Sequence, residues 1–317
     1  MKKLFILWLV LFGLSSVANA DISAVYQTGG TEYLELLDNV TLAAGTNRGD
    51  LDMIDVGQLH NGDIIAAYTT GPSDWVEILD GSTLVPTGTS MNLDGVISVS
   101  GLANGDVVAA TNSTLQVLDG TTLTGGASLA LNVIDVTGLT NGNIAAAYTT
   151  GPSDYVEVFD GTTLAGGASL SLTGISKVTG TAGGDVAVAY GGGTKYLQIF
   201  DGSTLAGGAW RQQIVLDMGG LANGDLAIMY DNGAGTEYLQ AIDDTLTTWR
   251  TPWLGGSGYD MMALDGDYIP EWVPPVCGDA NHPYPAGDAT RDCKVNFEDF
   301  VYIARSWLDC THPDGCD

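Results

Sequence analysis

The sequence predicts an all-β chain: a six-bladed β-propeller closed by N- and C-terminal strands, followed by a small disulfide-rich calcium loop-helix module. Three observations predict it. A short phrase recurs six times at intervals of about 41 residues, the two ends of the repeat array each carry a complementary part of one unit, and all four cysteines fall after residue 276. A period of roughly 40 to 45 residues carrying several short strands marks an array whose units bury their apolar faces only against neighbours.

The chain opens with Lys2 and Lys3, an apolar stretch from Leu4 to Leu14 and small residues ending at Ala18-Asn-Ala20. That order predicts a cleaved secretory signal over 1–20, and the apolar stretch falls short of the roughly 20 residues a membrane span needs. A secreted or cell-surface protein starting at Asp21 is expected. Without the leader, 8 basic residues face 38 acidic ones, a formal charge of −30. Such a surface excludes nucleic acid, whose binding requires Lys and Arg against phosphate. It favours solubility and a monomer, and it can also gather divalent cations.

The propeller is expected over 21–268. The recurring phrase reads Asp38-Asn-Val-Thr-Leu42, Asp80-Gly-Ser-Thr-Leu84, Asp119-Gly-Thr-Thr-Leu123, Asp160-Gly-Thr-Thr-Leu164, Asp201-Gly-Ser-Thr-Leu205 and the degenerate Asp243-Asp-Thr-Leu246. A second marker, as in Leu59-His-Asn-Gly-Asp63 and Leu139-Thr-Asn-Gly-Asn143, predicts a tight type I′ hairpin between the first and second strands. With a third strand such as Tyr155–Phe159 and a weaker fourth, each unit makes a four-stranded antiparallel blade. First strands near Met53, Val96, Val133, Ile175, Val215 and Met261 count six blades. Ile22 begins at a second strand and Tyr259–Leu264 supplies an unaccompanied first strand, so the two ends complete one blade and close the ring. The array resembles the secreted bacterial propeller repeats, a likeness of architecture that carries no activity with it.

Two sets of ring residues are candidate sites. Five units flank the loop between second and third strands with aromatics: Tyr26 with Tyr33, Tyr68 with Trp75, Tyr148 with Tyr155, Tyr190 with Tyr196 and Tyr230 with Tyr238; the third unit has Thr111 and Leu115 instead. Tyr33, Trp75, Tyr155, Tyr196 and Tyr238 would form a stacking platform for sugars or another flat ligand, with Glu35, Glu77, Glu157 and Gln198 as polar partners. Their repetition equally fits packing between blades. The second set, Asp55, Asp135 and Asp217, shares its first-strand position with Ser98, Lys177 and Ala263. Carboxylates near the axis hold a cation, line a polar channel or accept backbone hydrogen bonds. The ring has one histidine, His60, and no cysteine, which argues against catalysis; an enzyme here would be a glycoside hydrolase working through paired carboxylates.

Pro-rich residues 269–276 read as a linker to a second domain at 277–317. Cys277, Cys293, Cys310 and Cys316 suit two disulfides in an exported chain, with three connectivities open. From Asp288, oxygen-bearing side chains stand at loop positions 1, 3, 5, 9 and 12, and Lys294 offers its carbonyl at position 7, the order in which an EF-hand loop wraps a hard cation. Phe300, Ile303, Ala304, Trp307 and Leu308 follow at helical spacing. With Asp299 closing the loop, the segment resembles the dockerin type I repeat. That resemblance implies Ca2+ held by Asp288, Thr290, Asp292, Asn296 and Asp299, and docking to a cohesin-like protein or surface component. It covers about 40 residues and one loop, and Cys293 replaces the usual glycine at position 6. Together these features predict an exported non-catalytic binding protein with a calcium-stabilised docking tail; the alternative is a carbohydrate-binding or polysaccharide-degrading component.

Overall fold

The computed structural model describes residues 22–28, 31–37, 44–49, 51–221, 224–231, 237–248, 254–255 and 260–266. The chain separates into two units, Met1–Glu271 and Trp272–Asp317, and every described residue belongs to the first. The leader, the Asp38–Leu42 turn, the linker and the calcium-loop segment lie outside the described residues.

The strands run β1 (Ile22–Thr28), β2 (Thr31–Leu37), β3 (Ala44–Arg48), then β4 (Asp52–Gln58), β5 (Ile64–Thr70), β6 (Ser73–Leu79) and β7 (Pro86–Asn92). The third blade contains β8 (Val96–Gly101), β9 (Val107–Thr111), β10 (Thr114–Leu118) and β11 (Gly125–Ala130), and the fourth β12 (Val133–Gly138), β13 (Ile144–Thr149), β14 (Asp154–Phe159) and β15 (Gly166–Leu172). The fifth comprises β16 (Lys177–Gly180), β17 (Val186–Tyr190), β18 (Tyr196–Phe200) and β19 (Gly207–Gln212). The last strands are β20 (Ile214–Gly220), β21 (Leu226–Asp231), β22 (Glu237–Ile242), β23 (Leu254–Gly255) and β24 (Asp260–Gly266). They form six four-stranded antiparallel sheets, and the first blade has the order β24-β1-β2-β3. Ile22 pairs with Gly266 and Val25 with Ala263, so opposite ends of the array do complete one blade.

The first strands of the six blades adjoin one another in a closed cycle, β24 to β4, β8, β12, β16, β20 and back to β24. The apolar cores confirm the ring, because each belongs to two neighbouring blades: Val25 and Leu34 of the first pack with Met53 and Ile64 of the second, and Ile22 and Ala24 of the first with Ala227 and Met229 of the sixth. A second strand covered on both faces needs small or slender side chains throughout, which is why Ile144-Ala-Ala-Ala147 shows no alternation and is fully buried.

The Asn-Gly hairpins differ from the expected type I′ turn. Gly62, Gly105 and Gly142 have positive φ, but the preceding asparagines do not. The Gly62 N–H donates to the Leu59 carbonyl at 2.8 Å, and the Leu59 N–H to the Asp63 carbonyl at 2.8 Å. This is a type I turn closed by a left-handed glycine in a three-residue loop. Asparagine serves there through its side chain: Asn61 Oδ1 accepts the Asp63 N–H at 3.0 Å, and Asn104 does the same for Asp106.

The Asp-Gly-x-Thr-Leu turns place a leucine in the left-handed region. Leu84, Leu123, Leu164 and Leu205 have φ from 53 to 56°. That conformation costs roughly 1–2 kcal/mol in a non-glycine residue, whereas burying a leucine yields roughly 1.5–3 kcal/mol. Each of these leucines is buried, so burial wins. The aspartate holds the loop in shape: Asp80 Oδ1 accepts the Ser82 and Thr83 amides at 3.1 and 2.8 Å and both hydroxyls at 2.7 Å. Those donors pull the Asp80 carboxyl down to about 2.

Candidate functional site

The ring brings Asp55, Asp135 and Asp217 together around one axial cavity of about 20 Å³, room for a water molecule. Ser98 and Ser100 also line it. All three aspartates are buried. Asp55 Oδ2 accepts the Val99 N–H of the next blade at 2.8 Å, and Asp135 Oδ2 accepts the Val178 N–H in the same way at 2.8 Å. The Ser98 hydroxyl donates to Asp135 Oδ1 at 2.9 Å. These carboxylates therefore tie first strand to first strand.

Lys177, at the same first-strand position in the fifth blade, puts its Nζ 3.1 Å from Asp217 Oδ1, with its side chain 24% exposed. Burial pulls its ammonium down, but Asp217, Asp135 and Asp55 outweigh that and hold it above its ordinary range. Burial pushes Asp55 up to about 7; Lys177 opposes that rise, and Asp217 and Asp135 add to it. The axis thus carries its own cation. Among the described residues, no group of three or more His, Cys, Asp or Glu is arranged to hold a metal ion.

The aromatics stand directly opposite one another across the second and third strands. Tyr148 and Tyr155 stack at 5.6 Å with 20° between planes, and Tyr26 with Tyr33 and Tyr230 with Tyr238 stack at 5.7 and 5.5 Å. Tyr190 and Tyr196 are tilted by 34° at 5.7 Å. Each second-strand tyrosine donates its hydroxyl to an acceptor on the third strand: Tyr26 to Glu35 at 2.8 Å, Tyr68 to Glu77 at 3.2 Å, Tyr148 to Glu157 at 2.6 Å and Tyr190 to Gln198 at 2.7 Å. Tyr230 uses Gln240, at 3.1 Å. Burial and the Glu157 carboxylate push the Tyr148 phenol up to about 12. Tyr33, Trp75, Tyr155, Tyr196 and Tyr238 are half-buried, and Tyr155 packs against an apolar core that includes Leu115 and Val117 of the third blade.

The third blade requires one correction of register. Thr111 pairs with Thr114, while Leu115 faces Ala110. Thr114 is therefore the counterpart of the third-strand aromatic, and Leu115 falls where the other blades have an inward Val or Leu. Only Asn112 and Ser113 separate the paired Thr111 and Thr114, four residues fewer than the six between the paired Tyr68 and Trp75, and this shortening hides the register in the sequence. Gln116 then takes the register position that Glu35, Glu77, Glu157 and Gln198 hold in their blades, here without a second-strand tyrosine.

No protein-family model matches the chain. No curated protein matches it either. Solved structures do resemble the ring. A protein of unknown function from Bacteroides caccae superposes with a TM-score of 0.54 at 13% identity, covering 77% of this chain and 98% of that one. A protein from Lactobacillus plantarum gives 0.53 at 12% identity, covering 77% and 97%. The β-propeller domain of Myceliophteria thermophila Cps50 (Swd1) gives 0.52 at 14% identity, covering 75% and 87%. At these identities the likeness establishes the propeller fold alone. Propellers commonly serve as rigid platforms for interaction. Among the described residues no helix is long and apolar enough to cross a membrane, which says nothing of spanning by strands.

Proposed function

We propose that the chain is an exported, non-catalytic binding protein, with the propeller as a platform for a ligand or partner and 277–317 as a calcium-stabilised docking module. One observation carries the first half: the ring's repeated carboxylates are already engaged. Asp55 and Asp135 accept amides of the next blade, Asp217 pairs with Lys177, the third-strand Glu35, Glu77 and Glu157 accept tyrosine hydroxyls, and the turn aspartates accept their own loops. A glycoside hydrolase needs two carboxyl groups facing a substrate, one to donate and one to accept a proton or bond the sugar. Carboxylates engaged in these structural bonds are poorly placed for that work.

Support for the second half comes from the order of oxygen-bearing residues Asp288, Thr290, Asp292, Asn296 and Asp299, with the Lys294 carbonyl between them. The leader and the acidic surface support export, where calcium is plentiful and disulfides persist. Calorimetric titration of the full chain with calcium tests the tail. A saturable isotherm that Asp288→Ala and Asp299→Ala abolish is expected; heats unchanged in both variants would remove calcium from the account. A cohesin-like protein or a surface component is the expected docking partner, and capture of it should require calcium.

A further inference from the structure

The seam between the fifth and sixth blades departs from the repeat at three coordinated positions. In the first, second and fourth blades the residue before the third-strand aromatic is an acid that clamps the entry to the next first strand. Glu32 accepts the Met53 N–H at 2.9 Å, Asp74 the Gly95 N–H at 2.8 Å and Asp154 the Gly174 N–H at 2.9 Å. In the fifth blade that position is Lys195, which can accept nothing through its side chain, and only its carbonyl takes the Gln213 N–H, at 3.2 Å. Two apolar residues seal the middle seams from the outer strand: Met91 and Leu93, Leu129 and Leu131, Leu170 and Leu172. Their counterparts here are Arg211 and Gln213. The register fixes the equivalence, since Arg211 faces Leu197 as Leu170 faces Val156. Arg48 repeats the arginine at the first seam, but Glu32 keeps the clamp there.

Where clamp and seal are both missing, a cleft of about 550 Å³ opens. Thr194, Lys195, Arg211, Gln213, Tyr230 and Asp231 line it, with the 41% exposed Ile214 at its edge. That volume falls within the roughly 300–1,000 Å³ of small-molecule sites. Lys195 and Arg211 are two of the five basic residues in 21–268, brought to one cleft of a strongly acidic chain. Among the described residues the Lys195 ammonium has no ion pair. Arg211 donates one N–H to the Leu246 carbonyl at 3.4 Å and lies close enough to Tyr230 to oppose the rise that burial gives its phenol.

We propose that this cleft binds an acidic saccharide of about two rings. Lys195 and the Arg211 fork meet the carboxylate, a geometry guanidinium suits. Gln212, Gln213 and Thr194 both donate and accept, as sugar hydroxyls do, Asp231 accepts from a hydroxyl, and Tyr230 with Ile214 offers a surface to a ring face. The predominantly polar lining disfavours lipid. This inference deepens the reading of the ring as a binder and is independent of calcium at the tail.

Calorimetry of the full chain against digalacturonate, neutral cellobiose and the dipeptide Glu-Glu tests it. Digalacturonate should bind at least about tenfold more tightly than either other probe, the scale of a lost charge-assisted hydrogen bond. Restoring the repeat with Lys195→Asp and Gln213→Leu should leave the unfolding midpoint equal or higher and weaken digalacturonate at least about tenfold. The calcium isotherm should be unchanged by those substitutions, which separates this site from the tail. No digalacturonate binding, undiminished binding in the folded double variant, or equal binding of Glu-Glu or cellobiose would overturn the proposal.

Discussion

Gly161 lies against Gly142 so closely that a Cβ on the first would fall 1.9 Å from the carbonyl oxygen of the second. The same approach joins Gly81 to Gly62, Gly120 to Gly105 and Gly202 to Gly184. The two recurring phrases of the sequence are thus one structural unit: the turn after the third strand seats on the hairpin between the first and second. Asp63 and Asp185 reinforce it by accepting the Gly81 and Gly202 amides at 3.3 Å.

Gly161→Ala should destabilise the ring by about 2 kcal/mol or more, since backbone rather than a flexible side chain must move to admit the methyl group. Gly192→Ala, where nothing lies within 4 Å, should change stability by less than about 0.5 kcal/mol. Urea unfolding of the two variants provides the comparison. Equal midpoints would mean that the turns do not meet as described.

Lys177→Met removes the one cation among three buried aspartates while keeping the aliphatic stem. A loss of about 2–4 kcal/mol is expected, somewhat reduced because a quarter of the lysine side chain is exposed. Adding Asp217→Asn should recover part of that loss, and the double-mutant cycle in urea measures how much. A single variant as stable as the parent would show that the axial charges do not depend on Lys177.

Stability should also respond to pH in two opposed windows. Asp55 holds its proton up to about pH 7 in the fold, against about 3.9 when unfolded, so the folded chain binds the extra proton and stability falls as pH rises from about 4 to about 7. The turn aspartates act the other way. Asp80, at about 2, and the lowered Asp119, Asp160 and Asp201 contribute above about pH 4 and lose that contribution as pH falls toward 2. The urea midpoint should therefore peak near pH 4–5. Asp55→Asn keeps an acceptor for the Val99 amide and should flatten the fall between about pH 4 and 7; an unaltered slope would assign that fall to other groups.

Architecture was readable because each blade repeats its turn chemistry, and because the split unit betrays the closure: Ile22 and Gly266 are partners although nearly the whole ring lies between them. Local geometry was less readable. Asn-Gly suits a type I′ turn by propensity, but the three-residue loop uses the asparagine side chain on Asp63 or Asp106 and leaves positive φ to glycine alone. The third blade's short Asn112-Ser113 loop shifted the alignment by one residue, enough to turn Leu115 to the opposite face. The axial aspartates were found by position, yet their bonds to Val99 and Val178 belong to the next blade and follow only from the ring. Lys195, Arg211 and Gln213 escaped notice for a related reason: each looks ordinary in its own strand, and only the pairing of outer strands reveals that clamp and seal fail at one seam.

Ring closure by β24 is the premise on which seams, axis and cleft all depend, and amide hydrogen exchange of Ile22–Thr28 tests it most directly. Ala263→Pro removes an N–H and disturbs the ladder opposite Val25. The closed ring predicts slow exchange along β1 in the parent chain and marked acceleration there in the variant, with β13 and β14 of the fourth blade little affected. Exchange along β1 that is equally slow in both chains would contradict closure by these two ends.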